Sequence, residues 1–186
     1  MNEPAEHLLV VGGTGMLAEA TRRLADGVPA VTLVARRPER LDDLSAEAVH
    51  RFAVDYHETD ELLDRLEAAV VEYGEFTRAL TWVHASAEAS LRRVADRLDA
   101  QSNRPELVDV QGSAAGRPDR AESSRHRYLE GLDGIDYRRV ILGFVRQEGR
   151  SRWLTDTEIS DGVIEAVESG ARRHVVGQIE PWEHRP

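Results

Sequence analysis

Short runs of apolar residues alternate with longer amphipathic stretches along the whole chain. The apolar runs fall at residues 7–11, 31–35, 49–54, 79–83, 106–110, 139–144 and 174–176. Runs of this length and continuity are typical of parallel strands that are buried on both faces of a sheet. The pattern therefore predicts repeated strand and helix units.

Two of the amphipathic stretches predict helices clearly. The apolar positions of the first lie on one side of a helix, at Leu62, Leu63, Leu66, Ala69, Val70 and Tyr73. The second begins with Thr155 and Glu158 at the spacing of a capping box, and Gly170 is suited to ending it. Its inward-facing positions are Ile159, Val163, Ile164 and Val167.

Repeated β-α units with short connections require right-handed crossovers. We therefore predict an α/β protein with a doubly wound parallel sheet, the Rossmann fold, with about seven strands in the order 3-2-1-4-5-6-7. One domain is expected over residues 1–186. The segment 116–127 has few apolar residues and is predicted to be a mobile loop.

Composition narrows the possible partners. The net charge is −10, and the arginines are scattered among acids, which argues against a nucleic-acid partner. The absence of cysteine removes disulfides and thiolate chemistry. No apolar run approaches the roughly 20 residues of a membrane helix, and the first residues of the sequence are acidic. We therefore expect a cytoplasmic protein without a membrane partner.

A glycine-rich turn at residues 12–15 follows the first strand and precedes a helical stretch. Glycine permits the tight turn and lets backbone N–H groups approach a pyrophosphate, while the positive end of the following helix attracts the anion. A turn that needs glycine only for its own geometry is the alternative. The β-α context favours dinucleotide binding.

Arg36 and Arg37 follow the second strand, where an acid would accept hydrogen bonds from the ribose 2′-hydroxyl of NAD. Guanidinium groups can instead hold a 2′-phosphate through charge-assisted hydrogen bonds. The pair predicts NADP(H) as the cofactor. Solvated surface arginines, or a site for another phosphorylated ligand, are the alternatives.

These residues resemble the short-chain dehydrogenase/reductase family along nearly the full chain. Residues 12–15 and 35–41 look like the family's glycine turn and its NADP-type second loop, and Asp55 matches the residue that contacts the adenine. Residues 84–86 stand where the family has Asn-Ala-Gly beside the ribose. Residues 143–145 resemble the stretch that meets the nicotinamide.

The glycine turn, the arginine pair and the resemblance together imply a set of cofactor-binding residues. They are Gly12, Gly13, Thr14, Gly15, Met16, Leu17, Arg36, Arg37, Asp55, Tyr56, His84, Ala85, Ser86, Gly143, Phe144 and Val145.

The resemblance fails at the family's catalytic Tyr-x-x-x-Lys pair, because the chain contains no lysine. Tyr128 has Leu132 four residues on, and the helix that would carry the pair looks trimmed or lost. Ser113 matches the family's catalytic serine. The catalytic candidates are Ser113, Tyr128 and His84, while His126 is more typical of a solvated side chain.

Other chemistry is less favoured by the sequence. No His/Asp/Glu cluster has metal-site spacing, and no serine has a His-Asp partnership that the sequence can show, so metal chemistry and hydrolysis rank low. Trp153 and Trp182 fall where related folds place a substrate lid. A core or a dimer interface is the alternative for them.

The sequence is compatible with two functions, one of an enzyme and one of a non-catalytic binding protein. The first is an NADP(H)-dependent oxidoreductase that acts on a small molecule with a degenerate catalytic site. The second is a non-catalytic NADP(H)-binding sensor or scaffold that responds to a small-molecule effector. The resemblance also suggests a homodimer, because members of the family often pair through helices that flank the central strands.

Overall fold

A computed structural model describes residues 6–117 and 122–186. The main sheet contains β1 (His7–Val11), β2 (Ala30–Ala35), β3 (Ala48–Ala53), β4 (Arg78–Thr81), β5 (Glu106–Gln111), β6 (Asp136–Leu142) and β9 (Arg173–Val176). Within the described residues these strands pair in parallel in the order β3-β2-β1-β4-β5-β6-β9. The predicted fold class and strand order are confirmed, since β9 is the seventh strand of this sheet along the chain.

Helices cover both faces of the sheet. They are α1 (Ala18–Ala25), α2 (Thr59–Tyr73), α3 (Glu88–Asp99), α4 (Ser124–Glu130) and α5 (Asp156–Ser169). One core cluster contains apolar residues of α1 and α5, and the other contains those of α2, α3 and α4. In the described parts of the chain, no helix has the length and apolar character needed to cross a bilayer.

The capping box predicted for α5 is confirmed. Glu158 donates its backbone N–H to the Thr155 hydroxyl at 3.2 Å, and the Glu158 carboxylate accepts the Thr155 N–H at 2.9 Å. Gly170 ends the helix in the left-handed conformation with φ +66°. This start and this end both depend on residues close in sequence, which is why the sequence alone could locate them.

The central strands are buried and the edge strands are not. Every residue of β1, β2 and β5 is buried, whereas β3 is half-buried and β9 is exposed at Arg173. The expectation of a fully buried strand is therefore wrong for β3 and β9. Each is an edge strand of the main sheet and pairs with only one neighbouring strand.

The sixth apolar run divides between two structures. The sequence predicted a strand at 139–144, but β6 ends at Leu142, and a separate antiparallel hairpin begins at Phe144 with β7 (Phe144–Gln147) and β8 (Arg150–Trp153). Gly143 lies between β6 and the hairpin. Only glycine fits at this position, because an added Cβ would lie 2.2 Å from the Gln178 carbonyl oxygen. This close approach turns the chain out of the main sheet.

Helix α4 replaces the second half of the loop predicted over 116–127, whose residues 118–121 lie outside the described residues. Its Arg125 is buried and donates to both carboxylate oxygens of the fully buried Asp109 on β5. Arg125 also donates to the Val83 carbonyl at 2.8 Å. Ser123 caps the helix by accepting the His126 N–H at 3.2 Å. These contacts, rather than apolar periodicity, hold the helix in place.

Replacing Arg125 by methionine should destabilise the fold by about 3–5 kcal/mol, because Asp109 would be left buried without its counter-ion. Urea denaturation followed by circular dichroism measures the change. Arg127→Met is the matched control, since Arg127 is exposed on the same helix. An equal loss of stability in both variants would contradict the assignment of Arg125 as the anchor.

Candidate functional site

Two glycines of the turn after β1 are required by close packing. Gly12 has φ +82°, and a Cβ on it would lie 2.3 Å from the carbonyl oxygen of Trp82. A Cβ on Gly13 would lie 2.4 Å from Val10 Cγ1 and 2.5 Å from Thr21 Oγ1. The turn can therefore pass between β4 and α1 only if both residues lack a side chain.

Gly15 differs from these two glycines. It is exposed, and an added Cβ would meet no atom within 4 Å. Nearby, Leu17 precedes α1 without a side-chain hydrogen bond to cap the helix. Ser160 of α5 instead accepts the Ala20 N–H at 3.2 Å, so one backbone donor in the first turn of α1 is already occupied. The rest of this helix start, beside a small residue, is suited to an anion that approaches the backbone closely.

A cleft of about 490 Å³ opens next to the turn, at the carboxyl edge of the sheet. Its lining residues are Gly12, Thr14, Gly15, Ala35, Arg36, Arg37, Arg40, Tyr56 and Trp82. The structure thus brings together six of the residues predicted to bind a cofactor. A smaller and more apolar cleft of about 280 Å³ lies between α2 and α3, away from the strand ends.

Sequence reasoning missed Trp82 and Arg40 as residues of this cleft. Trp82 directly follows β4, and its ring also reaches toward Gly112, the residue after β5. A large aromatic residue just beyond a central strand was the signal that could have located it. Arg40 lies in the short 3-10 helix Pro38–Leu41, which directs it to the same side as Arg36.

The arginines of the cleft carry a concentrated positive charge. Arg36, Arg37 and Arg40 are exposed, and none forms an ion pair in the part of the chain that the structure describes. This is unusual in a chain of net charge −10, where many other arginines are paired with acids. The cleft therefore favours an anionic ligand.

Polar side chains meet next to Tyr56, which lines the cleft. His57 Nδ1 lies 2.7 Å from Asp55 Oδ1, and His57 Nε2 lies 3.0 Å from Ser86 Oγ. The pKa of Asp55 is lowered chiefly by the hydrogen bond from the His57 backbone N–H and then by the His57 ring, with a smaller contribution from Arg36. His84 accepts the Ser86 N–H at 3.3 Å. Ala85 lies exposed between these last two residues.

Several of the residues predicted to bind the cofactor are held by packing or by backbone hydrogen bonds within the fold. The side chain of Leu17 is buried, and the Met16 carbonyl accepts the Ser160 hydroxyl at 3.3 Å. Phe144 is fully buried and exchanges two backbone hydrogen bonds with Gln178, while Val145 is half-buried in the hairpin. None of these residues lines the cleft.

The structure separates the three catalytic candidates. His84 and Ser113 follow the neighbouring strands β4 and β5 at the carboxyl edge of the sheet. Tyr128 instead donates its hydroxyl to Asp96 on α3, and this hydrogen bond, followed by burial, raises the pKa of Tyr128. A tyrosine that acts as an acid near neutral pH needs its pKa lowered, so this placement does not favour catalysis by Tyr128.

His126 also faces away from the cleft. Its ring lies 5.7 Å from that of Tyr137, and its Nε2 is 3.3 Å from a carboxylate oxygen of Glu130. Across residues 6–117 and 122–186 there is no group of three or more His, Cys, Asp or Glu that could hold a metal ion.

Aromatic and arginine side chains pack together near the end of the chain. Trp153 is 49% exposed, and the Arg185 guanidinium lies 5.7 Å from its ring centre and 4.6 Å from that of Trp182. Ile179 packs so closely on Gly116 that an added Cβ there would lie 3.0 Å from its Cδ1. The last residues of the chain therefore lie beside the turn that carries Ser113.

Comparison with known proteins defines the fold. No family model matches the sequence, and a search of curated proteins found no relative. The structure is similar to the actinorhodin polyketide ketoreductase with NADPH, at a TM-score of 0.65 and 15% identity over 95% of this chain and 98% of that one.

Two further structures are similar. A 3-ketoacyl-(acyl-carrier-protein) reductase from Brucella melitensis complexed with NADH has a TM-score of 0.61 and 16% identity, over 92% of this chain and 96% of that one. A metagenomic short-chain oxidoreductase in complex with NADP has a TM-score of 0.63 and 17% identity, over 93% and 97%. The chain has the Rossmann fold of the short-chain dehydrogenase/reductases.

The two turn glycines Gly13 and Gly15 should respond differently to alanine. Gly13→Ala should lower the free energy of unfolding by about 1–3 kcal/mol, since its Cβ overpacks the turn. Gly15→Ala should change it by no more than about 0.5 kcal/mol, because its Cβ enters open space. Thermal and urea unfolding of both variants test this, and equal losses would show that Gly15 is also required by the fold.

Proposed function

We propose that the chain binds NADP(H) and acts as an oxidoreductase of the short-chain dehydrogenase/reductase type on a small molecule. The observation that carries the proposal is the cleft that joins Gly15, which faces open space, to three arginines that form no ion pair within the described residues. A phosphate-bearing ligand explains both features, since the small residue admits it and the guanidinium groups hold it.

The residues present fit a dinucleotide phosphate. The turn and the start of α1 would hold the pyrophosphate, and Arg36, Arg37 and Arg40 would hold the 2′-phosphate. Tyr56 and Asp55 would contact the adenine. The NADH, NADPH and NADP complexes named among the similar structures support a nicotinamide cofactor.

When bound, the cofactor would supply or accept the hydride. The hydroxyl of Ser113 would donate a hydrogen bond to the substrate oxygen or nitrogen at the carboxyl edge of the sheet. No lysine is present to lower the pKa of a tyrosine, and arginine cannot transfer a proton near neutral pH. The chain would therefore act mainly by binding, orientation and electrostatics, with Trp153 and Trp182 excluding water.

A non-catalytic NADP(H)-binding sensor or scaffold is the second candidate. It is favoured by one observation, the engagement of the Tyr128 hydroxyl by Asp96 in a chain without lysine. In either case we place the protein in the cytoplasm and expect a small-molecule partner. A homodimer stays a prediction.

Calorimetric titration with NADPH and NADH tests cofactor binding. NADPH should bind more tightly than NADH, and Arg36→Ala/Arg37→Ala should weaken NADPH binding by about 10- to 100-fold while leaving NADH binding nearly unchanged. Arg93→Ala/Arg97→Ala is the matched control, because these arginines are exposed on α3 and do not line the cleft. No binding of either nucleotide would mean that the glycine turn serves only the architecture.

Turnover separates the two candidate functions. An oxidoreductase should consume NADPH with at least one member of a panel of carbonyl and imine substrates, and Ser113→Ala should lower kcat while leaving the Kd for NADPH nearly unchanged. NADPH binding without turnover across the panel would favour the sensor. Hydride transfer that depends on Ser113 would exclude it.

A further inference from the structure

A serine, a histidine and an aspartate form a hydrogen-bonded chain beside the cleft. Ser86 Oγ lies 3.0 Å from His57 Nε2, and His57 Nδ1 lies 2.7 Å from Asp55 Oδ1. We propose that Ser86 is a nucleophile activated by His57 and Asp55, which gives the chain hydrolytic activity toward small activated esters. Both distances lie in the range of an activated nucleophile whose base is oriented by a third group.

The orientation of the histidine follows from its partners. The ionised Asp55 carboxylate can only accept hydrogen bonds, so His57 Nδ1 must carry the hydrogen. His57 Nε2 is then an acceptor facing the Ser86 hydroxyl. Asp55 also accepts the His57 backbone N–H at 3.0 Å, which fixes the turn that presents the ring.

A second imidazole adjoins the same hydroxyl. His84 Nδ1 accepts the Ser86 N–H at 3.3 Å, so it also presents a lone pair, and it lies 3.0 Å from Ser86 Oγ. The single hydroxyl hydrogen of Ser86 is therefore shared between two acceptor nitrogens. Because the Nδ1 lone pair of His84 already accepts the Ser86 N–H, His57 Nε2 is the base that takes the Ser86 proton when the oxygen attacks a carbonyl carbon.

The fold makes the three residues meet and keeps them accessible. Asp55 and His57 lie in the connection from β3 to α2, while Ser86 lies in the short 3-10 helix Ala85–Ala87 that leads into α3. The side chains of His57 and Asp55 are 46% and 40% exposed, and Ser86 is exposed, so a small ester can reach the oxygen. Ser86 lies just before the start of α3, whose positive end favours the developing negative charge.

The reaction balances without a further reagent except water. Ser86 Oγ forms a bond to the ester carbonyl carbon while its proton passes to His57 Nε2. The alcohol then leaves with that proton, which gives an acyl-Ser86. Water, deprotonated by His57, attacks the acyl group, so that the carboxylic acid is released and the Ser86 hydroxyl is restored.

This inference goes beyond the proposed function and does not depend on it. Asp55 is also the residue predicted to contact the adenine, and Tyr56 joins the two sites because its ring centre lies 5.0 Å from that of His57. If both assignments hold, bound NADPH covers the nucleophile. Protection by NADPH then reports on the cofactor site, whereas modification of Ser86 reports on the nucleophile.

The test is covalent labelling, because free imidazoles hydrolyse activated esters by themselves and hydrolysis alone would prove little. A small fluorophosphonate should phosphonylate Ser86, with loss of fluoride and transfer of the serine proton to His57. Intact mass should show one adduct, mapped to Ser86 by peptide sequencing. Ser86→Ala should abolish the adduct, and His57→Gln should slow its formation by about 100-fold or more.

Matched variants make the result decisive. Ser102→Ala should label as the unaltered protein does, since Ser102 is exposed but donates to the Glu75 carboxylate at 2.7 Å. Circular dichroism and urea unfolding establish that each variant is folded. Labelling of Ser86 that NADPH does not slow would support the nucleophile and count against the cofactor site. No adduct on Ser86, or an adduct that forms equally fast in His57→Gln, would overturn the inference.

Discussion

The close approach of the glycine turn to the end of β4 is the contact on which the site depends. Gly12 lies so near the Trp82 carbonyl that no side chain fits between them, and Gly13 is packed in the same way against Val10 and Thr21. This packing sets the direction in which the chain leaves β1 and enters α1. The start of α1 and Gly15 consequently face the cleft that also receives the arginines after β2.

A buried ion pair shapes the other half of the site. Arg125 binds the carboxylate of Asp109 inside the sheet, which seats α4 against β5 although the helix has only seven residues. The same seating directs Tyr128 toward Asp96 on α3, away from the strand ends. The position of Arg125 therefore explains why Tyr128 lies away from the carboxyl edge at which Ser113 is found.

Charge is distributed unevenly over the chain. The chain as a whole is acidic, and its buried arginines are matched by acids such as Asp109 and Glu122. Arg36, Arg37 and Arg40, which form no ion pair within the described residues, stand out against this background. Asp55, next to Tyr56 of the cleft, is hydrogen-bonded by His57, so the proposed anion site and the proposed nucleophile lie at the same edge of the sheet.

The sequence by itself determined the architecture, because its signals act between neighbours in the chain. Continuous apolar runs located the strands, and Thr155, Glu158 and Gly170 located α5, each through local backbone chemistry. Only the tertiary structure decided which glycine faces open space, that Arg125 meets Asp109 across 16 positions, and that His57 meets Ser86 across 29. Such contacts depend on how the loops cross the edge of the sheet, and the periodicity of apolar residues in the sequence does not predict the paths of loops.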